Sequence, residues 1–344
     1  MINELRIVLV RRGDIGSFDG VTRFTFNLAR GFKDLGIEVY IVAGVASRDP
    51  RTYFVTARGI EVIVLSRGSH SFLESTVKHL IEGSRILGDM GADMVIANGA
   101  IPLISKTVKI SVNHGNAITE YRRSFPARLY GKIVYGMYDT VVCVSSKVRM
   151  ERVGIICQRV IPIPLILDNY ECEHSKDNFI LFVGGDYRRK RLEVAIETVR
   201  VLRREGYDLT LKVVGSTKAN LLSEDHVEFV GKVSDEELRR LYSRASALIH
   251  PSEWESFAYA VLEAQASCTP VVVGPGVPGE AFIHGVTGFR VTSFNPVDYA
   301  RVIAGMISNK DLFREMRVKA REYSERFDHV RVAGEYLKLY YEIR

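Results

Sequence analysis

The chain has 344 residues, of which 47% are hydrophobic, 26% charged and 10% aromatic, with a net charge of +6. This balance excludes a disordered or collagen-like chain, and the length excludes a mini-protein held together by staples. At roughly 150 residues per domain, two domains are expected.

The N-terminal Met1-Ile-Asn-Glu-Leu-Arg6 runs straight into a strand pattern, without the basic, apolar and small-residue order of a signal peptide. Arg6–Val10 is a predicted strand, Arg11–Gly20 a glycine-bearing loop and Val21–Leu35 an amphipathic helix ending at Gly36. Strands follow at Ile37–Ala43 and Ile60–Leu65, a helix at Phe72–Leu87, and strands at Met94–Asn98 and Val108–Asn113. A basic, aromatic-rich helix is predicted over Thr119–Tyr138, then a strand at Thr140–Val144. The longest apolar runs, Val39–Ala46 and Val160–Leu167, are strand-sized, well short of the ~18 residues of a spanning helix.

The two prolines of Ile161-Pro-Ile-Pro164 extend the backbone, and the polar stretch Asp168–Asn178 reads as a linker. The rhythm then restarts with strand Phe179–Val183, helix Leu192–Arg204, strands Leu209–Val214 and Val227–Val230, and helix Ser234–Ala245. Strand Ala247–His250, helix Phe257–Ala266 and strands Pro270–Val273 and Gly288–Val291 precede the closing helices. The reading is α/β: two doubly wound, Rossmann-like domains facing across a cleft. The domains are expected at 1–168 and 169–326, with a C-terminal helix over 327–344 returning to the first. Cys143, Cys157, Cys172 and Cys268 lack any C-x-x-C spacing and read as unpaired thiols in a reducing compartment.

Residues 1–168 carry a balance of +7 and the remainder −1, the excess lying mostly in 101–150. A one-sided basic surface fits an anionic partner. Arg122, Arg123, Arg128 and Lys132 interleave with Tyr121, Phe125, Tyr130 and Tyr135, the pattern of a helix that docks peripherally on an anionic membrane. Nucleic acid is not expected, because no recognisable nucleic-acid motif accompanies the basic residues.

Ligands of such sheets bind beyond the carboxyl ends of the strands, so the chemistry is sought in those loops. Gly13, Gly16 and Gly20 in the first loop allow close backbone approach to a ligand, but their spacing is not the dinucleotide G-x-G-x-x-G. Val183-Gly-Gly-Asp-Tyr-Arg-Arg-Lys-Arg191 sets two glycines and four cations at a strand-to-helix junction, a phosphate-binding arrangement. Cations there oppose the helix dipole, which points to an anion among them.

His250-Pro-Ser-Glu-Trp-Glu-Ser-Phe-Ala-Tyr-Ala-Val-Leu-Glu263 is the most informative stretch. If Glu255 and Glu263 share one helix, they stand roughly 12 Å apart and about 80° around the axis. Such carboxylates grip the two hydroxylated ends of an extended ligand, with the amides of Phe257–Tyr259 facing phosphates between them. Glu263 sits in an apolar helix, where an unpaired charge is costly. His114, at a strand's C-terminal end in Asn113-His-Gly115, faces the same side, whereas His250 precedes Pro251 and reads as structural. No metal-ligand spacing, P-loop or G-x-S-x-G occurs.

These motifs resemble the family-4 glycosyltransferases of the GT-B fold, which are retaining and use nucleotide-sugars. The resemblance spans nearly the whole chain and is strongest over Phe179–Val291. It rests on Glu255-x7-Glu263, Leu241-Tyr-Ser-Arg-Ala, His250-Pro-Ser, Pro270-Val-Val, His284-Gly-Val-Thr-Gly288 and Val227-Glu-Phe-Val-Gly-Lys-Val-Ser-Asp235. It implies a metal-independent, hexosyltransferase-type enzyme with no cofactor beyond the donor. A nucleotide-sugar is the donor, and a sugar or lipid-linked hydroxyl the acceptor.

By resemblance Glu255, Lys190 and His114 are the catalytic candidates: Glu255 at the sugar, Lys190 at the diphosphate, His114 against a sugar hydroxyl. Glu263 takes the ribose, and backbone near Val233 the base. Gly20, Gly184, Arg188, Arg189, Ser256, Phe257, Ala258 and Tyr259 complete the donor site. The chain departs from the family pattern at Gly185, where an arginine is usual, leaving Arg188 or Arg189 to replace it. It also departs at Asp19-Gly20, Pro162-Ile-Pro164 and Cys268. The expected setting is cytoplasmic, with peripheral contact at the inner membrane face. The competing readings are a sugar-nucleotide epimerase or phosphorylase on the same fold, and a non-catalytic two-lobed sugar- or nucleotide-binding protein.

Overall fold

The protein is described from a computed structural model covering residues 5–16, 19–45, 54–67, 72–115, 125–150, 157–173, 175–185, 188–216 and 225–344. It divides into two compact units, 1–165 with 327–344, and 166–326. The division falls at Leu165 rather than at 168, because Leu165 is hydrogen-bonded to Phe327 and belongs with the first unit.

In the first unit an eight-stranded sheet has the order β3-β4-β2-β1-β5-β6-β7-β8. Its strands are β1 (Arg6–Asp14), β2 (Glu38–Val45), β3 (Phe54–Ala57), β4 (Ile60–Arg67), β5 (Met94–Asn98), β6 (Val108–Asn113), β7 (Thr140–Cys143) and β8 (Arg159–Val160). All pair in parallel except the edge strand β3, which runs antiparallel to β4. Ile7 through Val10 are fully buried, which is why β1 reads as a continuous apolar run: both faces of this central strand are covered. Helix α1 (Gly20–Asp34) is capped by Asp19, whose side chain accepts from the Thr22 amide, and buries Phe24, Leu28 and Phe32.

The predicted helix from Phe72 is built as α2 (Phe72–Lys78), a π-turn (His79–Gly83) and α3 (Ser84–Asp89). The predicted basic helix appears as α4 (Phe125–Tyr135); its expected first turns, with Tyr121, Arg122 and Arg123, lie outside the described residues. A short α5 (Ser146–Met150) follows β7.

The second unit has six parallel strands ordered β11-β10-β9-β12-β13-β14. These are β9 (Phe179–Val183), β10 (Thr210–Val214), β11 (Val227–Gly231), β12 (Ala247–His250), β13 (Val271–Val273) and β14 (Gly288–Arg290). The helices are α6 (Leu192–Arg204), α7 (Asp235–Arg244), α8 (Tyr259–Ala266), α9 (Pro296–Ser308) and α10 (Lys310–Ser324). The core between α6, α9 and the sheet includes Phe182, Val199, Leu211, Ile249, Tyr299 and Ile303. The last helix, α11 (His329–Ile343), lies in the first unit against α1. A methyl group on Gly31 would stand 2.2 Å from the His329 carbonyl oxygen, so α1 and α11 meet backbone to backbone.

Both sheets reverse strand order beside their first strand, between β1 and β5 and between β9 and β12. These are the two places where helices diverge and leave a crevice for a ligand.

The cysteine reading is corrected. Cys143 pairs with Cys157 and Cys172 with Cys268, at Cα separations of 5.6 and 5.2 Å, and none is free. Cys143 ends β7 and Cys157 precedes β8, its parallel neighbour, so strand pairing brings the two together. Cys268 follows α8 at a positive φ of 56° and meets the segment that leads into β9. Separations of 14 and 96 residues carry no sequence signature. The inference of a reducing compartment from unpaired thiols falls with this correction.

Candidate functional site

The candidates of the second unit gather at its switch point, in the loops after β9 and β12. Beyond Val183 the chain reaches a tight turn at Arg188–Lys190 and enters α6 through Arg191, which sits at a left-handed φ of 55°. Beyond His250 the loop crosses Ser252 and Glu255 before α8 begins at Tyr259. The two loops are tied through backbone. The Glu253 amide donates to the Arg189 carbonyl at 2.8 Å, and Arg189 Nη1 donates to the Trp254 carbonyl at 2.7 Å. A third loop, after β13, clamps them: the Gly276 amide donates to Ser252, and the Glu255 amide donates to Gly276, both at 3.0 Å.

At the centre Glu255 is 6% exposed. Its Oε1 receives Lys190 Nζ at 2.6 Å, Ser252 Oγ at 2.8 Å, Arg189 Nη1 at 2.9 Å and His250 Nε2 at 3.2 Å. Its Oε2 has no partner among the described residues. Burial alone would push this carboxyl upward, but Lys190, His250 and Arg189 hold it well below the usual carboxylate range. Burial lowers Lys190, against the pull of Glu255, and burial followed by the Lys190 charge keeps His250 low. The site is therefore an ionised carboxylate among cations, with a neutral imidazole on its flank.

Glu263, on α8, is 1% exposed among the fully buried Val261, Leu262, Ala264 and Ala266. Two phenols are among its partners: Tyr170 donates to Oε1 at 3.2 Å and Tyr242 to Oε2 at 2.8 Å. Glu255 lies outside the helix, so the helical estimate of its separation from Glu263 does not apply. The cause is Ala258, whose φ of 88° breaks the backbone just before α8.

The remaining candidates are distributed around this centre. Ser256 and Tyr259 are half-buried, Phe257 is buried, and Gly184 packs beside the Lys190 stem. Val233 is half-buried between β11 and α7. Arg188 is exposed, without an ion pair among the described residues, whereas Arg189 reaches Glu255. Arg191 turns aside to Glu193 and Glu253 and stacks over Phe294. The cation run is thus balanced in part by the chain's own acids, which reading it as a consecutive series of charges did not anticipate. His250, read from sequence as structural, is a direct partner of Glu255; Ser252 and Tyr242 stand in the sequence only as members of motifs, and Tyr170 carries no sequence signal. The available signal was His-Pro-Ser at the end of a strand.

In the first unit Gly20 opens α1, and the preceding Asp19 accepts from Arg11 Nη1 at 3.0 Å and Nη2 at 2.7 Å. His114 follows β6. Its Nε2 lies 2.9 Å from Asn98 Oδ1 at the end of β5, and Phe24 meets its ring edge-on at 4.7 Å. Burial and the nearby Arg11 lower its pKa to about 4, so it is neutral at physiological pH.

Comparison with known proteins adds the following. The family "Glycosyl transferases group 1" matches residues 171–327, and "Glycosyltransferase Family 4" matches residues 18–162. An uncharacterised glycosyltransferase of Methanocaldococcus jannaschii is 24% identical over 94% of this chain and 95% of its own length. A D-inositol 3-phosphate glycosyltransferase of Streptomyces scabiei is 32% identical over 43% of this chain and 37% of its own. Among solved structures, sucrose-phosphate synthase from Thermosynechococcus elongatus superposes with a TM-score of 0.81 at 19% identity, covering 99% of each chain. Anabaena HepE in complex with UDP-glucose superposes with a TM-score of 0.79 at 15% identity, covering 98% of this chain and 100% of its own. With one family match on each of its two doubly wound units, this chain belongs to the family-4 glycosyltransferases of the GT-B fold.

Proposed function

We propose that the enzyme transfers a hexosyl group, with retention, from a nucleotide-sugar to an acceptor hydroxyl, and that the second unit holds the donor. The observation that carries this reading is the state of Glu255. One carboxylate oxygen is gripped by two cations, an imidazole and a hydroxyl, while the other is left to accept from a sugar hydroxyl. Solved neighbours with this fold were captured with UDP and with UDP-glucose, which supports a donor of the same class here.

In this reading Lys190 and Arg189, at the carboxyl end of β9, face the diphosphate. Glu263 takes ribose hydroxyls, and backbone at Val233 meets the base. The bond from the anomeric carbon to the diphosphate oxygen breaks through an oxocarbenium-like state. The acceptor oxygen bonds to the same face, and its proton passes to the departing phosphate. Negative charge grows on the leaving group, and the two cations stabilise it in place of a metal ion. Glu255 orients the sugar and is not assigned a covalent bond.

Thermal-shift measurement with UDP, GDP, ADP and their sugars tests the donor class. One nucleotide series is expected to stabilise the protein, by about 2.7 kcal/mol at a hundredfold excess over Kd. No shift with any of them would sink the donor assignment.

The acceptor is proposed to be carried at an anionic membrane surface that the first unit touches. Among the described residues no helix is long and apolar enough to cross a membrane. On α4, Leu129, Lys132 and Ile133 are exposed, an apolar and basic face. The expected aromatic contribution is corrected: Tyr135 is buried, and the Tyr130 hydroxyl bonds the Ala100 carbonyl and accepts from Arg12, so both serve the interior. Sedimentation with acidic vesicles is expected to show binding at low salt that weakens as salt rises. Absence of binding at low salt would end the membrane proposal.

A further inference from the structure

The hydrogen bonds behind His114 form a chain whose direction can be assigned from one end. Thr25 donates its hydroxyl hydrogen to the Val21 carbonyl one turn back in α1, at 2.7 Å. Its oxygen can then only accept from Asn98, whose nitrogen lies 3.2 Å away. The same nitrogen lies 3.4 Å from the Val10 carbonyl of β1, an acceptor without a hydrogen to give. Turning the Asn98 amide over would set its oxygen against both, so Nδ2 faces α1 and β1 and Oδ1 faces the imidazole. An amide oxygen only accepts, so the hydrogen between Asn98 and His114 belongs to Nε2. A neutral imidazole carries one such hydrogen, and Nδ1 is left with its lone pair.

Nδ1 has no partner among the described residues, and His114 as a residue is half-buried. The charged groups that act on the ring are Arg11 of β1 and Asp19 ahead of α1, and these pair with each other.

We propose that Asn98, held by Thr25 and Val10, is a positioning residue that keeps His114 in the Nε2–H tautomer, so that Nδ1 accepts a hydrogen bond from a substrate hydroxyl. The substrate half rests on the proposed function, together with the family resemblance that sets His114 against a sugar hydroxyl. It deepens that reading by fixing the direction of the bond. The group at Nδ1 must be an O–H, and a sugar that presents a carboxylate or carbonyl oxygen there sets lone pair against lone pair. His114 thereby selects neutral hydroxylated sugars over uronic ones.

The test is nitrogen NMR of the histidine-labelled full chain, with His114→Gln to identify the signal. The expected wild-type result is a lone-pair Nδ1 and a protonated Nε2. In Asn98→Ala, where no side-chain acceptor faces Nε2, the two nitrogens are expected to move towards a shared, mixed state. In Asn98→Asp a carboxylate faces Nε2–H and favours the imidazolium, so protonation is expected at a higher pH than in wild type. Thermal melting of each variant reports whether it has folded, and Asn98→Ala serves if the aspartate variant does not. A wild-type Nδ1–H, or an Asn98→Ala spectrum identical to wild type, overturns the assignment.

The kinetic counterpart uses UDP-glucose, or whichever nucleotide-sugar the thermal-shift series identifies. Below the raised pKa of His114, Asn98→Asp is expected to lose activity about tenfold per pH unit, because protonated Nδ1 cannot accept. A pH profile matching wild type, or unchanged transfer in His114→Gln, overturns the substrate contact. Failure of the donor reading itself appears separately, as the absence of any nucleotide-induced shift in melting, and leaves the NMR result to decide the tautomer.

Discussion

Lys190→Ala is expected to lower kcat by about 10²- to 10³-fold, the usual cost of removing one donor that stabilises developing negative charge. Lys190 is largely buried, and its Nζ lies 2.6 Å from Glu255 Oε1, so its position is fixed before any ligand arrives. Loss of the ammonium does not strand the carboxylate, because Arg189, Ser252 and His250 remain on the same oxygen. The variant is therefore expected to fold, with unchanged near-ultraviolet circular dichroism, and the defect is expected in turnover more than in KM. Lys190→Arg is expected to recover little, since a planar fork does not reproduce a compact charge at the end of a buried stem. Wild-type turnover in Lys190→Ala would remove this residue from the reaction.

Gly276→Ala is the second large effect, and it acts through backbone. A β-carbon at this position would lie 2.2 Å from the Glu253 carbonyl carbon and 2.3 Å from the Ser252 oxygen and the Trp254 nitrogen. None of these is the end of a flexible side chain, so the loop after β12 has to move. The same loop carries Glu255, whose amide donates to Gly276. We expect a loss of about 1–3 kcal/mol in stability, measured by denaturant unfolding, with activity reduced more than this loss accounts for. Gly279→Ala is the control: nothing lies within 4 Å of its β-carbon position, and both properties should stay near wild type. Equal behaviour of the two variants would refute the clamp.

Much of this architecture is legible in the sequence because the sheets are parallel and buried. Ile7–Val10 and Phe179–Phe182 are apolar at every position, and only a strand covered on both faces tolerates that. The antiparallel edge strand β3 and the two-residue β8 were missed, because neither shows a period long enough to register. At the candidate site the residue types were readable but not their pairing. Glu255, Lys190 and Arg189 meet because β9 and β12 are neighbours, and the intervening chain gives no hint of that adjacency. The break at Ala258 was hidden for a different reason: alanine favours helix, and tertiary contacts override that preference here. Both disulfides escaped because they join cysteines whose proximity is a product of the fold.

The return of α11 to the first unit bears on how the protein is made. The first unit is split in sequence, and the second is one uninterrupted stretch between its parts. Residues 166–326 come as one run, whereas α1 stays uncovered until the chain has added His329, whose carbonyl rests where Gly31 leaves room. The second unit therefore needs no later segment to complete it, whereas the first closes only once α11 has returned to it.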